Sequence, residues 1–303
     1  MRLNSKKNVK NWLKKYQIRP SRGLGQNFLV DKGAMKRIIG AANLQPQDIV
    51  LEIGPGTGNL TQELAKRVKK VIAVEKDRKM IEVLKETLKD YDNVEIIRGD
   101  VLKIFNFQFS IFNKFSISNY KIVANLPFYL TAPVIRKFLE GEGLPKEMIL
   151  VVQKEVGQRI TAKPPDMNLL AVSVQFYAKP KIIGYISKKS FWPRPKVNSA
   201  ILQITPLINA DRKLINADLF FKIVKVGFSQ PRKQILNNLA KKLALSSPNG
   251  LALSPPNGLK SNKIKVKEWL LKNKIKPERR AETLIVREWI KLTKSYPNDT
   301  KKT

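Results

Sequence analysis

The stretch Ile49-Val-Leu-Glu-Ile-Gly-Pro-Gly-Thr-Gly58 constrains the fold of this chain more than any other. An apolar strand runs straight into three glycines spaced by two, and a helical pattern follows. Glycines remove the Cβ atoms that would hold a ligand away from the backbone, and they permit the dihedrals of a strand-to-helix crossing. The third glycine arrives one residue earlier than in the GxGxxG fingerprint of dinucleotide sites, and Pro55 stiffens the first turn. The expected context is a Rossmann-like parallel sheet that receives a nucleotide-like ligand.

Three later strands sharpen that reading. Val71-Ile-Ala-Val-Glu75 ends in a carboxylate about 20 residues on, where an acid can accept both hydroxyls of a ribose. Val94-Glu-Ile-Ile-Arg-Gly-Asp100 ends in an acid able to receive an adenine amino hydrogen, and Lys121-Ile-Val-Ala-Asn125 runs into Leu126-Pro127-Phe128. Four successive strands therefore carry polar groups at their carboxyl ends, which is where open α/β sheets bind ligands. S-adenosyl-L-methionine is the expected ligand.

Composition restricts the chemistry. The 303 residues carry a formal net charge of +34, with 58 Lys+Arg against 24 Asp+Glu, and the excess is spread over both halves of the chain. A polyphosphate such as nucleic acid is the natural counter-charge, because neutralised phosphates release counterions; a solvated basic surface is the plainer alternative. There are no cysteines and no histidines, so thiol nucleophiles, thiolate-held zinc and histidine triads are excluded, and no metal is expected. No apolar window approaches the length of a membrane span and no secretion signal opens the chain, so a cytoplasmic protein is expected. Eight basic residues and no acid precede Asp31, which reads as an RNA-facing arm.

Strand-like runs at 49–53, 71–75, 94–98, 121–125 and 147–153 alternate with helical patterns at 59–69, 78–89 and 131–140, as in βαβ units. Two more β-rich runs, 172–186 and 199–204, flank the proline-broken Phe191-Trp-Pro-Arg-Pro-Lys196 and read as an antiparallel edge. Past Pro206 helical periodicity takes over at 217–228, 232–244, 264–274 and 281–294. The expected division is thus an α/β domain at 1–205 and a small all-α, RNA-binding domain at 206–303. Residues 243–258 write one octapeptide twice, LALSSPNG and LALSPPNG, which reads as a duplicated surface loop without a function of its own.

Taken together, Leu24-Gly-Gln-Asn-Phe-Leu29, Leu51-Glu-Ile-Gly-Pro-Gly-Thr-Gly58, Val123-Ala-Asn-Leu-Pro-Phe128, Val152-Gln-Lys-Glu155, Pro193-Arg-Pro-Lys-Val-Asn-Ser199, Asn237-Asn-Leu239 and Arg280-Ala-Glu282 resemble, in order, the blocks of the ribosomal RNA adenine N6,N6-dimethyltransferases. The resemblance covers roughly residues 18–292. It implies a class I methyltransferase domain followed by a small helical domain. It also implies S-adenosyl-L-methionine as donor, and two adjacent adenosines in a 3′-terminal hairpin loop of 16S rRNA as acceptors, within a 30S assembly intermediate and with the enzyme acting as a monomer. Carried over by motif, Asn27 and Leu29 close over the donor, Gly54 approaches its methionine part, Glu75 takes the ribose, Asp100 the adenine, and Asn125 bridges donor and acceptor. Asn125 and the Leu126 carbonyl are expected to accept the two amino hydrogens of the target adenine, with Phe128 stacking on the base and Phe191 as an opposite wall.

Plainer roles stand beside these: a strand-end acid for Glu75, a helix N-cap for Asp100, an Asx turn for Asn125, and simple packing for Phe128, Phe191 and Trp192. Phe128 and Pro231 depart from the family pattern, where tyrosine and arginine are commoner. The rival readings are a 23S rRNA adenine methylase of the erythromycin-resistance type and a nonenzymatic RNA-binding factor on the same scaffold.

Overall fold

β-branched apolar runs build the central sheet of the computed structural model, which describes residues 6–21, 23, 25–103, 120–141, 143–207, 215–243 and 259–297. The strands are β2 (Ile49–Ile53), β3 (Lys70–Glu75), β4 (Val94–Arg98), β5 (Tyr120–Asn125), β6 (Glu147–Gln153), β7 (Ala178–Ile186) and β9 (Ser199–Pro206). A separate pair joins β1 (Phe28–Leu29) to β8 (Phe191–Trp192). The sheet order is β4-β3-β2-β5-β6-β9-β7. From β4 to β6 every neighbour is parallel, and β9 then pairs antiparallel with both β6 and β7. Strand order reverses between β2 and β5, the point where ligands enter such sheets.

The expected alternation of strands and helices holds in this region. Helices α2 (Lys32–Ala41), α3 (Asn59–Ala65) and α4 (Arg78–Thr87) have clear sequence causes. Asp31 caps α2 by accepting from Ala34 N, and Asp77 caps α4 by accepting from Lys79 N. Buried Ile38, Leu64, Val50, Val71, Val123 and Ile149 pack into one cluster between α2, α3 and the sheet. Lys121 is buried among these elements because its ammonium pairs with Asp48 at 2.9 Å and donates to the carbonyls of Ala42 and Asn43.

The basic arm is more than a solvated tail. Lys6–Lys15 forms the amphipathic helix α1, whose Val9 and Leu13 are buried with Phe28, Met80 and Val83. Lys15 anchors it further on Glu86 of α4. Lys6, Lys7, Lys10 and Lys14 stay exposed, so one helix serves packing and charge at once.

Two expectations need correction. The run 172–186 is not one strand: Leu169–Tyr177 is a helix and only Ala178–Ile186 is extended. Val172, Val174 and Phe176 alternate with Ser173, Gln175 and Tyr177, a period that reads as a strand; the overlooked signal is Asn168, whose side chain accepts from Ala171 N as a helix cap. The second correction concerns the division into units. The chain separates into Met1–Gln158 with Tyr177–Pro206, and Arg159–Phe176 with Leu207–Thr303, so the second unit borrows a segment from within 1–205. Phe176 explains the borrowing, stacking on Phe220 with ring centroids 4.0 Å apart.

Besides Leu169–Tyr177, the described helices of the second unit are Ala217–Gly227, Ile235–Lys242, Leu259–Lys272 and Val286–Lys294. Buried Asn238 donates to the carbonyls of Gly227 and Gln230, fixing the turn that exposes Pro231, Arg232 and Lys233. The octapeptide repeat, apart from Leu243, lies outside the described residues. Among the described residues no helix is long and apolar enough to cross a membrane, and no cluster of acids could hold a metal ion.

Candidate active site

The carboxyl ends of β2, β3, β4 and β5 open into one cavity of about 270 Å³. The glycine turn forms its floor. Gly54 has φ +68° and donates its N–H to Val74 O, and Gly56 has φ +58°. A Cβ on Gly56 would stand 3.0 Å from the Phe28 ring, so both its dihedral and its space demand glycine. The sequence around β1 thereby closes against the turn that follows β2.

Glu75 ends β3 nearly buried, at 8% exposure, and lines the cavity. Its two oxygens accept from Asp77 N at 2.8 Å and Gly56 N at 3.2 Å, which fixes the carboxylate between two turns. Burial pushes its pKa up, although the amide donors of Asp77, Gly56 and Lys76 favour the ionised form. Asp77 is tied in turn to the loop before β1: Gln26 Nε2 donates to its Oδ2 at 2.9 Å, while Gln26 Oε1 accepts from Ser21 N.

Asp100 follows β4 and pairs with Lys76 at 3.0 Å while accepting from Leu102 N. Burial raises its pKa, but the Lys76 ammonium and the Leu102 amide outweigh that and hold it below the ordinary aspartate value. The capping role and a place in the cavity therefore coexist in one side chain.

Asn125 closes the ring of strand ends. Its Nδ2 donates to Asn27 O at 3.0 Å, and Asn27 Nδ2 donates to Gly25 O at 3.1 Å. With the nitrogen so committed, Oδ1 is the acceptor that Asn125 offers elsewhere. Leu126 is buried and donates to Val151 O, and Pro127 leads into the short 3₁₀ turn Phe128–Leu130.

The structure thus gathers Asn27, Leu29, Gly54, Glu75, Asp100 and Asn125 around one cavity. Leu126 and Phe128 sit on the adjoining turn without lining it, Phe128 being half-buried. Phe191 is elsewhere. At 5% exposure it pairs with Leu29 across β1 and β8 and packs in the core with Ile186 and Ile201, so the expected opposite wall is a core side chain. Three of the lining residues that sequence reasoning missed bear on the chemistry. Tyr129, half-exposed, was legible as the next aromatic of the same turn. Lys76 and Glu52 were not, since one reads as a surface lysine and the other as part of a strand.

A glycine turn at the β2/β5 switch point, with acids ending the next two strands and an amide ending the fourth, defines a Rossmann-like class I methyltransferase. The particular family follows from the sequence: residues 18–253 match the ribosomal RNA adenine dimethylase family, and the chain belongs to it. The ribosomal RNA small subunit methyltransferase A of Dehalococcoides mccartyi is 40% identical over 288 residues, covering 95% of this chain and 92% of that protein. The protein of the same name from Clostridioides difficile is 36% identical over 290 residues, covering 95% and 94%. Among solved structures, a dimethyladenosine transferase from Plasmodium falciparum superposes with TM-score 0.69 at 27% identity, covering 86% of this chain and 94% of that one. The 23S rRNA methyltransferase ErmE superposes with TM-score 0.64 at 23% identity, covering 89% and 99%, and so shares the fold.

S-adenosylmethionine is the methyl donor of this class, and the residues present fit it. Among the described lining residues four carry carboxyl groups, Glu52, Glu75, Asp77 and Asp100, against the single lysine Lys76, as a cationic ligand requires. Positive φ at Gly54 and Gly56 leaves backbone where a side chain would fill the space.

Proposed function

We propose that this chain transfers methyl groups to N6 of two adjacent adenosines in the 3′-terminal hairpin loop of small-subunit rRNA. It would do so as a cytoplasmic monomer acting on a 30S assembly intermediate, without a metal. The observation that carries the reading is Asn125, held by Asn27 O beside an acidic cavity, with its Oδ1 uncommitted among the described residues.

When bound, the donor supplies an electrophilic sulfonium methyl, held by Glu75 at the ribose, Asp100 at the adenine, and Asn27, Leu29 and Gly54 around the remainder. The chain's remaining task concerns the acceptor amine, whose lone pair is delocalised into the adenine ring. Asn125 Oδ1 and the Leu126 carbonyl accept its two hydrogens, turning the lone pair toward the cavity and stabilising the positive charge that develops on nitrogen. No basic side chain is needed during attack, because the proton becomes acidic only afterwards and can pass to solvent. That suits a chain without histidine. Phe128 stacks on the unpaired base, with half-exposed Tyr129 beside it at the cavity mouth; a base–aromatic stack contributes about 1–3 kcal/mol. Loop adenines are already unpaired, so extrusion costs little.

The exposed lysines of α1 and the Arg232-Lys233 turn supply positive charge for the rRNA backbone, and the helical unit is assigned to RNA binding on that ground. The test is incubation with donor and either 30S precursor particles or naked 23S RNA, followed by mass spectrometry of the 3′-terminal 16S fragment. Two dimethyladenosines in that fragment support the reading; methylation of 23S RNA alone would replace it with the rival specificity.

A further inference from the structure

Glu52 lies on β2, two residues before Gly54, lines the donor cavity and is 1% exposed. Among the described residues its Oε2 has no hydrogen-bond partner. A buried carboxylate in that state must either find a cation or keep its proton, since an isolated charge away from water is strongly disfavoured. Among the described residues, the elements packed around it offer no cation. From α3 the Thr61 hydroxyl lies close enough to favour the ionised form, yet it too has no completed hydrogen bond. From β3 comes Glu75, a like charge. The remaining charged lining groups are Asp77, Asp100 and Lys76, and the Lys76 ammonium is held by Asp100. Burial is the largest influence, and it pushes the Glu52 pKa up to about 8.

We propose that Glu52 is the counter-ion of the donor's α-ammonium group and that donor binding releases the Glu52 proton to solvent. This rests on S-adenosylmethionine as the ligand of the cavity. The ammonium is chosen over the sulfonium because an oxygen without a partner needs an N–H donor, which a sulfonium lacks. In the step, the carboxylic O–H bond breaks, the proton goes to buffer, and the carboxylate left behind pairs with the incoming cation. The acid is thus neutral while the cavity awaits its ligand and charged once the ligand arrives.

The sign of the linkage follows. An acid whose folded-state pKa is raised has its stability present at low pH and lost as pH rises from the ordinary 4.5 through about 8. Without donor, the wild type should lose stability across that window relative to Glu52→Gln, as read by thermal unfolding. With donor, calorimetry in buffers of different ionisation enthalpy should show nearly one proton released per wild-type site below about pH 8, and none in Glu52→Gln. The wild-type affinity, taken as a ratio to the variant's so that the ligand's own amine ionisation cancels, should rise up to tenfold per pH unit until about 8 and then level.

S-adenosylhomocysteine keeps the ammonium and lacks the sulfonium charge, so it should release the same proton. Equal proton release in wild type and variant, or release with the donor but not with S-adenosylhomocysteine, would overturn the assignment while leaving the functional reading intact. Failure of the wild type to bind either compound would overturn both. Should Glu52→Gln not fold, buffer-dependent calorimetry on the wild type alone still decides: binding without proton release below about pH 8 refutes the proposal.

Discussion

The donor cavity carries four carboxyl-bearing residues against one lysine, whereas the chain as a whole carries 58 Lys+Arg against 24 Asp+Glu. The enzyme handles two ligands of opposite charge, a cationic donor and a polyanionic RNA, and it separates them by depth. Charges exposed on α1 and on the Arg232-Lys233 turn act through water and are screened by salt. Deep in the cavity Glu52 and Glu75 are desolvated, and among the described residues each has a defined partner or a defined vacancy for one. The contrast teaches that net charge describes the substrate of such a protein, while its cofactor is described by the local exception.

Salt should separate the two regions most widely. If RNA is held through about 6–10 phosphate contacts, raising monovalent salt from roughly 50 to 200 mM weakens RNA binding by about 10³–10⁵. Donor affinity should change little over the same range. Filter binding for RNA beside calorimetry for donor measures both, and equal sensitivity would break the comparison.

A second contrast lies between two buried acids. Asp48 is matched by Lys121 at 2.9 Å, while Glu52 has an oxygen with no partner among the described residues. Burial raises the Asp48 pKa, but the Gln45 amide and the Lys121 ammonium outweigh it and bring the group below its ordinary value. Its stabilising contribution is therefore present above the unfolded pKa and lost only as pH falls through the lower, folded one. Lys121→Met should cost about 3–5 kcal/mol, because it strands the Asp48 charge and orphans the Ala42 and Asn43 carbonyls. The variant should also invert the pH dependence, losing stability as pH rises through the acid range. Denaturant unfolding across pH reads both effects.

Between the two regions stands Asn125, proposed above to face donor and acceptor alike. Asn125→Ala should lower kcat by about 10²–10³, the cost of removing one acceptor for charge that develops during reaction. Donor affinity should fall less than about tenfold, since Glu75, Asp100 and the glycine turn remain. Single-turnover rates beside donor calorimetry separate these, and substantial retained turnover would remove Asn125 from the reaction.

Much of this contrast was legible in sequence, and the illegible parts share a cause. Glycine spacing and polar strand ends gave the sheet and four cavity residues, Gly54, Glu75, Asp100 and Asn125, because local chain geometry places them; Asn27 and Leu29 came only with the family resemblance. Phe191 could not be assigned that way: whether an aromatic beside a proline turn faces ligand or core depends on the partner strand, here Leu29 of β1. Helix Leu169–Tyr177 was hidden because Val172, Val174 and Phe176 alternate with Ser173, Gln175 and Tyr177, which is the period of a strand. Glu52 was passed over as one residue of an apolar strand, and its role depends on what surrounds it in three dimensions.

The smallest effect is the finest test of the acidic interior. Glu75 is held by two backbone amides, so its geometry persists without ligand, and a pair of ribose hydroxyls would meet a preformed acceptor. Glu75→Ala should weaken donor binding by about 1–3 kcal/mol, through loss of charge-assisted hydrogen bonds. RNA affinity, governed by the exposed lysines, should not change. Glu75→Gln keeps the size and one acceptor while removing the charge, and should fall between alanine and wild type. A glutamine variant as weak as alanine would show that charge rather than hydrogen-bond geometry holds the ribose, while unchanged donor affinity in both would remove Glu75 from the donor site altogether.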